Sequence, residues 1–214
     1  MAEHAALAYL RAADPVLAGL IDNLDADGVK IVLDPARGGR YPVVEPFGAL
    51  VRTIIGQQVS VSAARAMNAR LLERFGGRLP TPEEVLADDP DELRAAAGLS
   101  RAKLGFVRSL AEHVISGELD FDALDDLPDD EVEQALSAVK GIGPWTSHVF
   151  LMFQMRRPDV LAAGDLGIRR AAQRAYGLEA LPTPEELTAM AERWRPHRST
   201  ASRLLWKSLD FAPV

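Results

Sequence analysis

A short turn between two predicted helices is the feature that most constrains how this chain can fold. Residues 139–146 read Val-Lys-Gly-Ile-Gly-Pro-Trp-Thr, so two glycines flank one apolar residue and a proline follows. Glycine allows a positive φ or a close backbone approach, and Gly141 and Gly143 therefore predict a tight helical hairpin. Pro144 suits the first position of the next helix, where its missing N–H costs nothing. The N–H groups of such a turn, with a helix N-terminus behind them, form a site for phosphate.

Apolar residues recur at helical spacing along most of the chain, which predicts an all-α fold. Ser60 is a predicted N-cap for a helix that ends near Phe75, and a further helix is predicted from Ser100 to Gly117. Two segments, 29–33 and 41–44, are strand candidates around a Gly-Gly loop. One further helix is predicted over residues 14–24, and another begins at Pro46. The remaining helices are predicted at about 129–139, 144–155, 165–176, 184–194 and 198–210.

The hexapeptide Leu-Pro-Thr-Pro-Glu-Glu occurs twice, at residues 79–84 and 181–186. Each copy predicts a capping box with a threonine N-cap, a proline in the first position and a glutamate in the third. Internal duplication is the alternative, but the flanking segments do not match. Because no low-complexity linker interrupts the chain, residues 1–214 are predicted to form a single unit with its lobes packed together.

Charge and cysteine content exclude several classes of protein. The formal net charge of −7 argues against a protein that simply coats DNA. The charge is uneven, since residues 140–214 hold 11 Lys and Arg against 7 Asp and Glu, whereas residues 1–139 hold 13 against 24. The basic excess therefore accompanies the hairpin, although arginines often only solvate a helix face. The chain has no cysteine, which excludes disulfides.

The sequence predicts a cytoplasmic location, associated with the nucleoid if the source is bacterial, and no membrane partner. No apolar run reaches membrane-spanning length, and the beginning Met-Ala-Glu-His lacks the pattern of a signal peptide.

The hairpin and a second motif resemble the HhH-GPD superfamily of base-excision DNA glycosylases, over residues 47–211. Twenty residues beyond Trp145, Gly164-Asp165 opens a predicted helix, within the sequence Leu-Ala-Ala-Gly-Asp-Leu-Gly-Ile-Arg-Arg. The resemblance is to the alkylbase branch, typified by DNA-3-methyladenine glycosylase II. Many superfamily members carry a four-cysteine iron–sulfur cluster, which this chain cannot hold.

This resemblance implies two helical lobes with the active-site cleft between them. Residues 46–155 would form a six-helix barrel lobe that includes the helix-hairpin-helix at 130–155. Residues 156–214 would form the aspartate loop and the C-terminal helical lobe, against which the N-terminal segment 1–45 would pack. A β-domain that precedes this region in some relatives has no counterpart, since only about 45 residues precede the match.

The resemblance assigns Asp165 as the catalytic residue. Its position also suits an ordinary N-cap, a role that contributes about 0.5–2 kcal/mol, and the two interpretations are compatible. Cleavage of an N-glycosidic bond leaves positive charge on the sugar, which a fixed carboxylate stabilises. The same carboxylate can orient or deprotonate the attacking water.

Trp145 and Trp206 are assigned by the resemblance to the base pocket. In bifunctional glycosylase/lyases a lysine stands at the position of Trp145, so this chain is expected to be monofunctional, without a Schiff base. Two indoles suit a cationic alkylated purine through stacking and cation–π attraction. Burial in the core is the alternative for a large tryptophan. Trp194 is expected to be structural.

The resemblance also implies a DNA-binding surface. In Gly-Gln-Gln-Val-Ser, residues 56–60, Gln58 would fill the gap left by a flipped base, whereas the alternative is a plain helix junction with exposed glutamines. Main-chain carbonyls of the hairpin hold a monovalent cation in relatives, and the matching ones belong to Ser137, Val139 and Gly141. The expected DNA-binding residues are Gln57, Gln58, Lys140, Gly141, Ile142, Gly143 and Thr146.

The sequence thus predicts a monomeric DNA glycosylase that flips 3-methyladenine or 7-methylguanine out of duplex DNA and hydrolyses the glycosidic bond. No cofactor is required, and Na⁺ or K⁺ at the hairpin is the one expected ion. A non-enzymatic helix-hairpin-helix module is an alternative that leaves Asp165 and the indoles unexplained. A glycosylase for oxidised or mispaired bases is another, disfavoured by the missing lysine and cysteine cluster.

Overall fold

A computed structural model describes residues 2–26 and 45–210. Within those ranges the chain forms 13 α-helices and no strand, so the all-α prediction is confirmed. Both strand candidates, at 29–33 and 41–44, lie outside the described residues. The helices are α1 (Ala2–Ala13), α2 (Pro15–Ala26), α3 (Pro46–Gly56), α4 (Val61–Arg74), α5 (Pro82–Ala87), α6 (Pro90–Ala97), α7 (Arg101–Ser116), α8 (Phe121–Leu124), α9 (Asp129–Ser137), α10 (Pro144–Phe153), α11 (Leu166–Tyr176), α12 (Pro184–Ala191) and α13 (Arg198–Asp210).

The described chain divides into two compact units. One lies within Val44–Phe150, and the other combines residues within Met1–Val43 and Leu151–Val214. The division therefore falls inside α10, a few residues before the lobe boundary expected at residue 155. None of the described helices is long and apolar enough to cross a membrane.

Helix starts follow the sequence signals closely. The Ser60 hydroxyl accepts from Ala63 N at 3.2 Å, and the Ser100 hydroxyl accepts from Lys103 N at 3.1 Å. Both predicted capping boxes are confirmed, with Thr81 before α5 and Thr183 before α12. Each cap satisfies N–H groups that the first turn of a helix leaves without an intrahelical partner.

Three helices, α1, α6 and α8, were not predicted. The signals for α6 are present in the sequence, because Asp89 precedes a proline and accepts from the N–H groups of Asp91 and Glu92. Gly98 ends α6 in the left-handed conformation, with φ +70°. The helix is only 8 residues long, which is too short for its apolar spacing to stand out.

In the unit within Val44–Phe150, α3 lies at the core. Its residues Leu50, Val51 and Ile54 are fully buried. Helix α3 packs against α4 and α7, while α5 packs on α7 and α6 on α4. Helices α3 to α7 therefore pack together into one cluster, and the junction between α3 and α4 belongs to it.

In the other unit, the buried Asp14 joins three elements that are distant in sequence. As N-cap of α2 it accepts from Val16 N at 2.9 Å, and its second oxygen accepts from Trp194 Nε1 at 2.9 Å and from the Tyr176 hydroxyl. Trp194 is fully buried, which confirms its expected structural role. The beginning of the chain is thereby fixed against α11 and the 3₁₀ turn that follows α12.

Candidate active site and nucleic-acid interface

Asp165 is the N-cap of α11. Its Oδ1 accepts from Ile168 N at 2.7 Å, and its own N–H donates to Ala162 O at 2.9 Å. The residue is half-buried, in the short connection that precedes the helix. A carboxylate fixed in this way lies at the positive end of the helix dipole. The structure thus gives Asp165 the capping geometry that its sequence position predicts.

The indole of Trp206 is hydrogen-bonded to the carboxylate of Asp165. Its Nε1 donates to Asp165 Oδ1 at 2.8 Å, although the two residues are 41 positions apart. The ring stacks on Phe153, with centroids 5.8 Å apart and planes at 25°, and Arg203 Cζ lies 4.7 Å from the centroid of Phe153. Trp206 is half-buried and lies on α13. Its orientation is therefore fixed at both the ring face and the N–H edge.

Gly167 permits this contact between the indole and the carboxylate. A Cβ on Gly167 would lie 2.9 Å from Asp165 Oδ1 and 3.2 Å from Trp206 Cδ1 and Nε1. Any larger residue would push the indole or the carboxylate away. The sequence did not reveal this role of Gly167, because the indole that makes glycine necessary lies far along the chain, on α13.

Trp145 lies in the first turn of α10 and is half-buried, so it is neither fully buried in the core nor fully exposed. The side chain at this position carries no amine.

The amine of Lys103, on α7, is engaged elsewhere in the protein. The residue is half-buried, and its Nζ donates to Ile55 O at 2.6 Å. Burial lowers the pKa of Lys103 below its usual range.

The turn between α9 and α10 depends on Gly141. Its φ is +89°, and a Cβ there would lie 2.1–2.4 Å from ring carbons of Phe106. The aromatic ring of Phe106, on α7, therefore packs directly against the glycine backbone. Only glycine fits here, both for its backbone conformation and for the space available. Phe106 is a site residue that the sequence analysis did not identify.

Gly143 has neither of the features that would require glycine within the protein, a positive φ or a close approach to another residue. Its φ is not positive, and no described atom beyond its chain neighbours lies within 4 Å of the position that a Cβ would take. Of the two glycines, only Gly141 has a positive φ. Gly143 therefore has room for a Cβ in the protein itself.

The remaining hairpin residues differ widely in exposure. Lys140 is exposed, whereas the side chains of Ile142 and Thr146 are buried, with 5% and 2% exposure. A contact between either of the buried residues and DNA would therefore involve the main chain. The Ile142 N–H donates to Val139 O within the turn. The Thr146 N–H lies in the first turn of α10, which supplies no intrahelical acceptor before Ser147, whose N–H donates to Gly143 O.

The α3–α4 junction is joined to the hairpin through Gln57. Its side-chain Nε2 donates to Gly141 O at 2.9 Å and to Thr146 Oγ1 at 3.0 Å. The next residue, Gln58, is exposed and has a φ of +55°. The two glutamines thus lie in different environments, one bound within the protein and the other facing solvent.

The hairpin carbonyls expected to hold a cation are partly engaged by the protein. Val139 O accepts from Ile142 N at 3.1 Å, and Gly141 O accepts from Gln57. Each carbonyl oxygen has a second lone pair, so these contacts are compatible with an ion. In the part of the chain that the structure describes, no group of three or more His, Cys, Asp or Glu side chains is arranged to hold a metal.

Residues 51–196 match the family described as HhH-GPD superfamily base excision DNA repair protein. The chain belongs to this superfamily. It is 34% identical to DNA-3-methyladenine glycosylase 1 of Schizosaccharomyces pombe over 170 residues, which cover 78% of this chain and 74% of that protein. It is also 34% identical to DNA-3-methyladenine glycosylase 2 of Escherichia coli over 195 residues, covering 85% of this chain and 64% of that protein.

The fold likewise matches a solved member of the superfamily. The S. pombe 3-methyladenine DNA glycosylase in complex with abasic DNA aligns with a TM-score of 0.81 and 30% identity, covering 97% of each chain. The predicted superfamily fold is thereby confirmed.

Proposed function

We propose that this HhH-GPD protein is a monofunctional DNA glycosylase that removes alkylated purines of the 3-methyladenine and 7-methylguanine type from duplex DNA. The observation that carries the proposal is the Asp165 carboxylate, fixed by the N-terminus of α11 and by the Trp206 indole. The names of the S. pombe and E. coli relatives support the substrate class.

Asp165 acts on the sugar. Alkylation gives the purine a positive charge, so the base leaves as a neutral molecule and takes the electron pair of the glycosidic bond. Positive charge then develops on the deoxyribose, and the carboxylate stabilises this oxocarbenium-like state. Water adds at the anomeric carbon and loses its proton, which yields an abasic site. A carboxylate with fixed orientation can assist that proton transfer.

Trp145 makes hydrolysis the expected outcome. A glycosylase/lyase forms a covalent imine between a lysine amine and the sugar, and breaks the strand as a consequence. The indole of Trp145 cannot form this bond. Lys103 is held by a main-chain carbonyl of α3 instead. The abasic strand should therefore remain intact after base release.

The hairpin binds the DNA backbone in this proposal. Main-chain N–H groups around Gly143 and the start of α10 would contact phosphate, with exposed Lys140 beside them. Gln58 would enter the space left by the flipped base. The Ser137, Val139 and Gly141 carbonyls would hold a monovalent cation that bridges to a phosphate.

The decisive experiment is incubation of the protein with methylated duplex DNA, with mass spectrometry of the released bases. We expect free 3-methyladenine and 7-methylguanine, and strands that break only after alkali. Borohydride should trap no covalent adduct. Strand breaks without alkali, or a trapped adduct, would contradict monofunctional chemistry, and tight duplex binding without base release would favour a non-enzymatic module. Gel filtration of the free and DNA-bound protein tests the proposed monomer.

A further inference from the structure

The α3–α4 junction contains two adjacent glutamines whose side chains have different partners. Gln57 is half-buried, and its amide bonds to two atoms of the hairpin, more than 80 residues later in the sequence. Gln58 is exposed and bonds to none of the hairpin atoms that hold Gln57. Direct DNA contact is expected of both, and Gln58 is the more exposed of the two.

The chemistry of the Gln57 contacts defines its orientation. A main-chain carbonyl only accepts hydrogen bonds, so the amide must present its NH₂ group to Gly141. The same nitrogen donates its second proton to Thr146 Oγ1, a hydroxyl with 2% exposure. Both amide protons of Gln57 are thus used within the protein. An apolar side chain can make neither contact, and a glutamate, although it could accept from the Thr146 hydroxyl, cannot donate to Gly141 O.

The hairpin atoms that receive these bonds are themselves fixed. Gly141 packs against the ring of Phe106, and Thr146 lies in the first turn of α10. On the other side of the junction, Lys103 Nζ donates to Ile55 O at 2.6 Å, two residues before Gln57. Gln57 is therefore held between a rigid hairpin and an anchored end of α3.

Gln58 needs this support because its backbone is strained. A residue other than glycine with a φ of +55° is uncommon, and such a conformation persists only where the surroundings impose it. Gln57 fixes the chain on one side of Gln58, and the Ser60 cap of α4 fixes it on the other.

We infer that Gln57 is a positioning residue that joins the phosphate-binding hairpin to the gap-filling Gln58, so that backbone binding and base displacement act as one unit. This inference rests on the proposed function. Gln57 itself touches no DNA. When the hairpin binds a phosphate, the amide contacts hold Gln58 at a set distance from that phosphate, where its side chain can replace the flipped base.

The test compares Gln57→Met and Gln57→Glu, which keep the length of the side chain but remove the donor. Gln134→Glu, on the exposed surface of α9, is the control for added negative charge. Single-turnover base release from methylated duplex and fluorescence of 2-aminopurine beside the lesion report excision and base displacement. We expect both Gln57 variants to lose about tenfold in the excision rate and to lose the fluorescence rise, because neither can donate to Gly141 O.

Combination with Gln58→Ala distinguishes a positioning role from a general structural one. If Gln57 acts through Gln58, Gln57→Met should lower the rate by less than about twofold in the Gln58→Ala background. Additive losses in the double variant, or a wild-type rate for Gln57→Met, would overturn the inference. Thermal melting curves ensure that every rate is measured on folded protein. Wild-type protein that fails to release any base would instead count against the proposed function, while its 2-aminopurine signal would still test the role of Gln57.

Discussion

The indole N–H of Trp206 donates to the same Asp165 oxygen that accepts the Ile168 N–H, at 2.8 Å and 2.7 Å respectively. This oxygen thus joins α13 to the N-terminus of α11. The resemblance assigns Trp206 to a wall of the base pocket, and its hydrogen bond adds a second role, because it limits rotation of the carboxylate. Both roles can be separated by substitution.

Asp165→Asn should leave the fold intact and abolish most of the excision. Asparagine caps a helix nearly as well as aspartate, and its carbonyl oxygen can accept from both Ile168 N and Trp206 Nε1. The negative charge is lost, so the excision rate should fall by about 10²-fold or more, the scale of one key electrostatic group. Single-turnover kinetics on methylated duplex measure the rate, and a gel-shift assay should give unchanged DNA affinity. Near-normal turnover by the folded variant would rule out the catalytic role.

Trp206→Phe and Trp206→Leu separate the N–H from the ring. Phenylalanine keeps an aromatic face against Phe153 but cannot donate to Asp165, whereas leucine loses both features. Loss of the donor should slow excision of every lesion by about threefold to tenfold, the usual range for one hydrogen bond. Loss of the ring face should add a penalty of about 0.5–2 kcal/mol for a cationic base.

The comparison of two lesions checks this separation. Trp206→Leu should affect charged 7-methylguanine more than neutral hypoxanthine, provided that the enzyme accepts both, while Trp206→Phe should affect the two about equally. Equal losses on both lesions for Trp206→Leu would mean that the indole supplies shape and carboxylate orientation but no charge recognition. Thermal melts of both variants control for folding.

The sequence was sufficient for features that depend on local chemistry. Caps such as Ser60, Thr81 and Thr183 act within one helical turn, so their signals are written in adjacent residues. The N-cap position of Asp165 was readable in the same way, whereas its assignment as the catalytic residue came from the resemblance to the superfamily. The tight turn itself was predicted from Gly141 and Gly143 together, because glycine allows a positive φ or a close backbone approach.

Long-range contacts account for what sequence reasoning missed. Nothing adjacent to Gln57 shows that its amide meets a carbonyl 84 residues later, and nothing near Phe106 shows that its ring supports Gly141. The two glycines of Gly-x-Gly each permit a positive φ or a close backbone approach, and the sequence did not decide between them. The packing of Phe106 against one glycine decides which of the two takes the positive φ.

The buried Asp14 cluster gives the fold a predictable pH dependence. Burial raises the pKa of Asp14, but hydrogen bonds from Tyr176, Trp194 and two backbone N–H groups outweigh it, so the pKa lies below its usual value. Since the folded pKa is the lower one, the ionised form stabilises the protein above about pH 4, near the unfolded value, and this contribution is lost as the pH falls further. The pKa of Tyr176 is raised, mainly by burial, so its contribution is lost on the alkaline side.

Asp14→Asn should therefore destabilise the protein more at pH 7 than at pH 3. Its NH₂ group would face two donors, at a cost of about 1–3 kcal/mol at neutral pH. Urea denaturation at both pH values measures the free energy of unfolding, and Tyr176→Phe is a milder control that leaves the carboxylate in place. An equal penalty at both pH values would show that charge on Asp14 does not stabilise the fold.

Gly143→Ala and Gly141→Ala form a matched pair that tests the hairpin as a binding site for DNA phosphate. Gly141→Ala should destabilise the fold, because a Cβ would collide with Phe106 and the φ is +89°. Gly143→Ala should leave thermal stability unchanged, since no described atom beyond the chain neighbours lies within 4 Å of the new Cβ.

The effect of Gly143→Ala should appear in DNA binding instead. A phosphate that approaches the Gly143 backbone closely would be displaced by the added methyl group, so DNA binding should weaken. The loss should be similar for damaged and undamaged duplexes, because phosphate contacts carry no sequence information. Fluorescence anisotropy at several salt concentrations measures both affinities. A loss confined to damaged DNA would assign Gly143 to lesion recognition, and unchanged affinity for both duplexes would place the phosphate contact elsewhere on the hairpin.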